Sequence, residues 1–171
     1  VPAIPDFSNM IPVKMTGKPF WEVYLRNTPT LYVAYCRAAE YYGIDGWHVA
    51  YDAVRFKRKD APEVHKKIIS RTADRIVERI RYETQAGDLE EEMTYPLADP
   101  PTKTEKMVKD LKTDFAKVRH LYHDIESYDA SLVPEYRKMC GAMAYLPFAP
   151  HIPACSTGWI FSMKACPVLY L

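Results

Sequence analysis

The stretch Ile44-Asp45-Gly46-Trp47-His48-Val49-Ala50-Tyr51-Asp52 decides how this chain is read. Residues alternate between the two faces of a strand, so Trp47, Val49 and Tyr51 share one face while Gly46, His48, Ala50 and Asp52 share the other. The bulky face suits packing under helices, and the small, polar face suits the inside of a barrel. Immediately before it, Leu31, Tyr35, Ala38, Ala39 and Tyr42 recur at helical spacing. Thr28 is the expected N-cap, Pro29 fits the first helical position, and Gly43 stands where a left-handed residue ends a helix. The spacing therefore predicts a helix over 29–42 leading directly into a strand, the βαβ rhythm of a parallel sheet.

Working outward, Val1–Phe7 alternates apolar residues with Pro2 and Pro5, which reads as an edge strand or the first strand of something larger. Asp6, Ser8 and Asn9 mark the loop that ends it. Beyond Asp52, the basic run Arg55-Phe56-Lys57-Arg58-Lys59 reads as a solvated loop, with contact to substrate carboxylates or phosphates as the alternative. Asp60 and Glu63 are spaced like a capping box for a short helix. Residues 74–95 mix charged and apolar residues on two arms around Gln85-Ala86-Gly87-Asp88, the pattern of an exposed β-hairpin inserted into the α/β rhythm. A helical segment is expected over 104–126, capped by Thr113 and striped by Phe115, Val118, Leu121, Tyr122 and Ile125. A short helix over Ser131–Met139, a strand over Ala142–Phe148 and a Pro-rich loop follow. No internal repeat or long linker divides residues 1–171, which read as one domain.

Composition narrows the partners. The 23 basic and 22 acidic residues leave a net charge of +1, so no global field recruits nucleic acid or an anionic membrane. No apolar run approaches the roughly 18 residues of a membrane span. Val1 is followed by nothing that reads as a signal peptide. Cys36, Cys140, Cys155 and Cys166 are too widely spaced for a dense disulfide framework or a close zinc pair. Reduced thiols in a cytoplasmic protein are the expectation, although two of the four could still pair.

Phosphate-cradling glycine loops, the zinc helix motif and the serine nucleophile elbow are all absent, and only six glycines are available. His120, His123 and Asp124 could hold a metal, but helical phasing places them at a solvent edge, and surface histidines are the better reading; no metal ligand is assigned. His151 and Cys155 share the Pro-rich loop, where sequence spacing alone cannot establish a nucleophile and base. Asp52 closes an apolar strand on the same face as His48. Either it projects into a ligand site, where partial desolvation would raise its pKa, or it simply begins a turn.

The run from Gly43 to Asp52 resembles the second strand of the uroporphyrinogen decarboxylase superfamily, in which an Asp-Ala-Ala run leads to Phe-Ser-Asp. Asp45 and Asp52 keep that separation, with Ala50-Tyr51-Asp52 at the Phe-Ser-Asp end. Further along, a Pro-Pro segment leads into Lys109-Asp110-Leu111-Lys112-Thr113-Asp114, and Phe148-Ala149-Pro150 is similar to the family's Gly-Phe-Ala-Gly-Ala-Pro. The resemblance implies the N-terminal portion of a (β/α)₈ TIM barrel, about half a family member, with the hairpin as an insertion. It makes Asp52 the catalytic residue, hydrogen-bonding pyrrole N–H groups, and makes Asp6, Asn9, His48, Tyr51 and His151 candidate substrate contacts.

One departure redirects the expected activity. Where true decarboxylases carry arginines that grip propionate and acetate side chains, this chain has Phe7 and Ile11, which cannot make bidentate carboxylate contacts. The resemblance then implies a corrinoid-linked methyltransferase more than a decarboxylase, with a divergent tetrapyrrole decarboxylase and a non-catalytic partial barrel or binding module as alternatives. Implied partners are a tetrapyrrole or methyl-corrinoid substrate and a corrinoid protein. Corrinoid and zinc would be held through a C-terminal half. An open half-barrel leaves a sheet edge unpaired, so association with itself or with that half is expected.

Overall fold

The computed structural model describes residues 8–44, 46–47, 53–122, 124–140 and 144–145, with backbone alone at 46–47, 139–140 and 144–145. Three helices come first: α1 (Met10–Met15), α2 (Phe20–Tyr24) and α3 (Leu31–Tyr42). Gly17, at φ 66°, turns the chain after α1. Val13, Phe20 and Val23 then form one apolar cluster between α1 and α2. In α3 the N-cap is Thr30, whose hydroxyl accepts the Val33 N–H at 3.3 Å, and Gly43 closes the helix at φ 62°. The helix thus starts two residues later than Thr28 and Pro29 suggest, while its left-handed end falls where expected. Neither α1 nor α2 is anticipated by the sequence reading.

Strand β1 (Gly46–Trp47) follows, then β2 (Arg55–Arg58), β3 (Glu63–Arg71), β4 (Arg75–Thr84), β5 (Gly87–Pro96) and β6 (Thr102–Glu105). Helix α4 (Leu111–Val118) runs into a 3₁₀ turn at Arg119–Leu121, and β7 (Ile125–Asp129), α5 (Val133–Cys140) and β8 (Ala144–Tyr145) complete the described order. The main sheet is antiparallel, with order β3-β4-β5-β6. β2 and β7 form a second antiparallel pair, and β1 and β8 a short parallel one, with Gly46 opposite Ala144 and Trp47 opposite Tyr145.

This architecture overturns the expected partial (β/α)₈ barrel with an inserted hairpin. The dominant unit is a meander of neighbouring antiparallel strands, and few helices accompany it. The reason lies in residues 55–71. Arg55–Arg58 is strand rather than loop. Asp60 adopts φ 51° in the turn after it, so Asp60 and Glu63 cap no helix. Val64, Ile68 and Ile69 favour strand in the segment that follows, and β3 pairs with β4 along nearly its whole length. The two arms around Gln85-Ala86 are the centre of a sheet, not a separate exposed hairpin: Ile76, Ile80, Leu89 and Tyr95 are buried. Full burial of Ile76 alone is worth about 1.5–3 kcal/mol.

The expected helix over 104–126 is also shortened. Thr102–Glu105 is taken up as β6 beside β5, and the helical dihedrals end at Tyr122, with φ −105° and ψ 85°. Asp110, not Thr113, caps α4, its carboxylate accepting the Lys112 N–H at 2.8 Å. Of the expected stripe, Val118 and Leu121 are buried against Leu89, whereas Phe115 is exposed. At the other end of the sheet, Trp21 of α2 packs on Ile76 and Tyr95, and the Phe20 N–H donates to the Leu97 carbonyl at 2.9 Å. The sheet therefore carries α2 under one end and α4 under the other.

Among the described residues no helix is long and apolar enough to cross a membrane.

Candidate functional site

Of the catalytic and substrate-contact candidates, Asn9 alone lies within the described part of the chain. It is exposed at the start of α1, and its side chain makes no capping hydrogen bond. Asp6, His48, Tyr51, Asp52 and His151 lie outside the described residues. What the structure does place is the framework on either side of them in sequence.

Trp47 and Tyr145 end two parallel strands, so the chain leaves both at the same edge of the pair. Four and five residues beyond Trp47 the sequence reaches Tyr51 and Asp52, and Ala53, the next residue described, has no exposed surface. Ala53 packs between Tyr32 of α3 and Tyr136 of α5. The Tyr32 hydroxyl donates to the Tyr136 carbonyl at 2.7 Å, and the two rings lie 4.2 Å apart, centre to centre. That bond satisfies a buried carbonyl and fixes α3 against α5. The half-buried Cys36 packs against this cluster.

A second grouping, missed by the sequence reading, lies on the inner face of the main sheet. Ile76, Glu78, Ile80 and Tyr82 share one face of β4, as Leu89, Glu91, Met93 and Tyr95 do in the facing register of β5. Glu78 and Glu91 are buried. The Tyr95 hydroxyl donates to Glu78 at 3.1 Å and the Tyr82 hydroxyl to Glu91 at 2.9 Å. Lys103 of β6 completes the set with an ammonium–carboxylate contact to Glu91 at 2.6 Å. Burial first, and then the facing glutamates, push both tyrosine hydroxyls well above the usual phenol range.

The tyrosines therefore serve as neutral donors, not as bases. A network whose members satisfy one another fixes the register of three strands, because a one-residue slip would turn a strand's inward set to the other face and part the tyrosines from their glutamates. The sequence does hold a signal for it: in each arm a glutamate shares strand parity with apolar residues and a tyrosine, Glu78 with Ile76, Ile80 and Tyr82, and Glu91 with Leu89, Met93 and Tyr95. The opposite face carries the solvated pairs Arg79–Glu92 at 2.7 Å and Arg81–Asp88 at 2.5 Å, which water and salt screen.

A thiol-activating zinc of the kind the resemblance implies needs histidine and cysteine ligands. Among the described residues, the group of metal-type donors brought together is Glu63, His65 and Glu83, which contains no cysteine and does not fit that role. The chain matches no protein-family model, no curated protein and no solved structure.

Proposed function

We propose that this chain belongs to an enzyme of the uroporphyrinogen decarboxylase type that acts in corrinoid-linked methyl transfer. The proposal rests on the order of the sequence motifs and on one structural observation, and it does not draw on the barrel expectation. That observation is the parallel pairing of β1 with β8. The carboxyl edge of parallel strands is where ligands bind in open α/β sheets. In sequence, Asp52 comes five residues after the end of β1 and His151 six after the end of β8. The anchoring of Ala53 between two tyrosines supports the same assignment, since a rigid attachment next to a reacting group limits misplacement.

In this reading a bound corrinoid would supply a methyl group at the cation level and would keep the electron pair of the bond it gives up. The acceptor thiolate supplies the electron pair of the new S–CH₃ bond. Asp52 is the residue assigned to orient the tetrapyrrole-type ligand. Phe7 and Ile11, in place of carboxylate-gripping arginines, are what favours methyl transfer over decarboxylation. No residue of this chain is assigned to zinc. A corrinoid protein as partner belongs to the same proposal, as does a reducing cytoplasmic setting, which the wide spacing of the four cysteines supports.

The test is to mix the protein with methylcobalamin and a thiol and to follow the cob(I)alamin spectrum and the thioether anaerobically. Transfer that is lost in Asp52→Asn supports the proposal. Carbon dioxide release from uroporphyrinogen would replace it with the decarboxylase reading, and neither activity, with or without a corrinoid protein, would leave a binding module.

A further inference from the structure

We infer that Glu63, His65 and Glu83 form a divalent transition-metal site that staples the edge strand β3 to β4. Glu63 and Glu83 stand directly opposite each other across the two strands. Like charges in that position repel and cost stability, yet the imidazole of His65 lies between them. His65 Nε2 is 3.3 Å from Glu83 Oε1 and 3.7 Å from Glu63 Oε1.

Those separations are longer than the 2.7–3.2 Å of a good N–H···O bond, and neither contact forms one. They bracket instead the edge of a tetrahedron whose metal–ligand bonds are about 2.1 Å, which is roughly 3.4 Å. The ligand atoms of all three residues lie within 4.8 Å of one another. The polar group that competes for this site is Arg81, whose Nη2 sits 3.4 Å from Glu83 Oε1 but makes its shorter contact, 2.5 Å, with Asp88.

The surroundings supply room for the remaining coordination positions. A cavity of about 260 Å³ adjoins the cluster, lined by Glu63 and Glu83 together with Asp60 and His120. His120 comes from the 3₁₀ turn after α4, a different element of the fold. Water entering from this cavity can complete a tetrahedral or five-coordinate shell. A mixed set of one imidazole and two carboxylates suits Zn²⁺ or Co²⁺ better than Ca²⁺ or Mg²⁺, which take oxygen ligands. The inference is independent of the methyl-transfer proposal, since it concerns the sheet edge and not the parallel pair.

The metal also answers a structural need. All nine residues of β3 are exposed, so the strand is held by its hydrogen bonds to β4 and little packing. An ion bridging Glu63 and His65 to Glu83 would hold that edge in register and turn a repulsive pair into a ligand pair.

The test uses the whole chain with Zn²⁺ as the sole added metal, counting bound equivalents by calorimetry or equilibrium dialysis and recording the thermal midpoint. Other histidines and cysteines can bind zinc as well, so the variants decide. His65→Ala and Glu83→Gln, each checked for unchanged circular dichroism, should lose one equivalent or weaken it by about tenfold or more. The wild-type midpoint should rise with Zn²⁺ by an amount these variants do not share. Co²⁺ in the wild type should give the intense visible bands of a low-coordinate site, absent in His65→Ala. Zinc binding by His65→Ala with unchanged stoichiometry and affinity, or a rise in midpoint equal to that of the wild type, would overturn the inference. If the variants fail to fold, Zn²⁺-induced shifts of the His65 ring signals in the wild type, or their absence, decide the matter.

Discussion

The main sheet and the parallel pair are built on opposite plans. Strands β3 to β6 follow one another along the chain and pair with their nearest neighbours, through the turn at Gln85-Ala86 and similarly short connections. Strands β1 and β8 are short and pair across nearly a hundred residues of sequence. Local pairing closes small loops and recovers contacts early, whereas the parallel pair must first offset the entropy of closing a long one. The sheet is also braced by its own interior, with Trp21 on Ile76 at one end, Val118 and Leu121 on Leu89 at the other, and the Glu78–Glu91 network between. The parallel pair borders α3, which the Tyr32–Ala53–Tyr136 cluster holds against α5. The difference teaches where stability resides: the sheet is scaffold, and the residues proposed for chemistry follow, in sequence, the less reinforced strands.

Substitutions in the two regions should separate these roles. The largest effect is expected at Ile76, which is fully buried under Trp21. Ile76→Ala should cost about 2–5 kcal/mol in chemical denaturation, and a loss under about 1 kcal/mol would mean that the sheet is not the stabilising core. Next, Glu91→Gln removes the charge facing Lys103 and should cost about 1–3 kcal/mol, with the loss reduced when Lys103 is also replaced by Met. Tyr32→Phe leaves the Tyr136 carbonyl without its 2.7 Å donor and should cost about 1 kcal/mol. That change should speed amide exchange around α3 and α5 while leaving β4 and β5 untouched, which is the outcome that sharpens the comparison.

The smallest effect is one of pH. Asp114 accepts the N–H groups of Asp110 at 3.0 Å and Lys109 at 2.9 Å, and then the Lys117 ammonium at 3.0 Å. These contacts, the backbone ones first, hold its carboxyl well below the usual carboxylate range. With the folded value depressed, its stabilising contribution is present above the unfolded value of about 4 and is lost as pH falls through the folded one. Asp114→Asn should therefore flatten the acid limb of a stability curve followed from neutral pH down to about 2; an unchanged limb would sink this assignment.

Legibility followed the range of the forces involved. The end of α3 at Gly43 and the antiparallel arms around Gly87 are set by residues adjacent in sequence, and local spacing exposes them. The strand at 63–71 was hidden because Asp60 and Glu63 imitate a helix cap, and Lys66 and Lys67, ordinary guards of a sheet edge, dilute its β-branched residues. The helix over 104–126 was overextended because pairing of β6 with β5 is a tertiary choice that no stripe of apolar residues reveals. Among the candidate site residues, Asn9 is placed, as an exposed residue at the start of a helix that the sequence did not announce. The buried glutamates of β4 and β5 are illegible from charge, which by itself predicts exposure, although their parity with Ile76, Ile80 and Leu89 points inward.

Native-state hydrogen exchange tests the division between scaffold and site most directly. The amides of β4 and β5 should exchange most slowly and as one cooperative unit, and those of β1, β8 and α3 should open in a separate, less protected unit. A single protection level across both regions, or slowest exchange in the parallel pair, would contradict it.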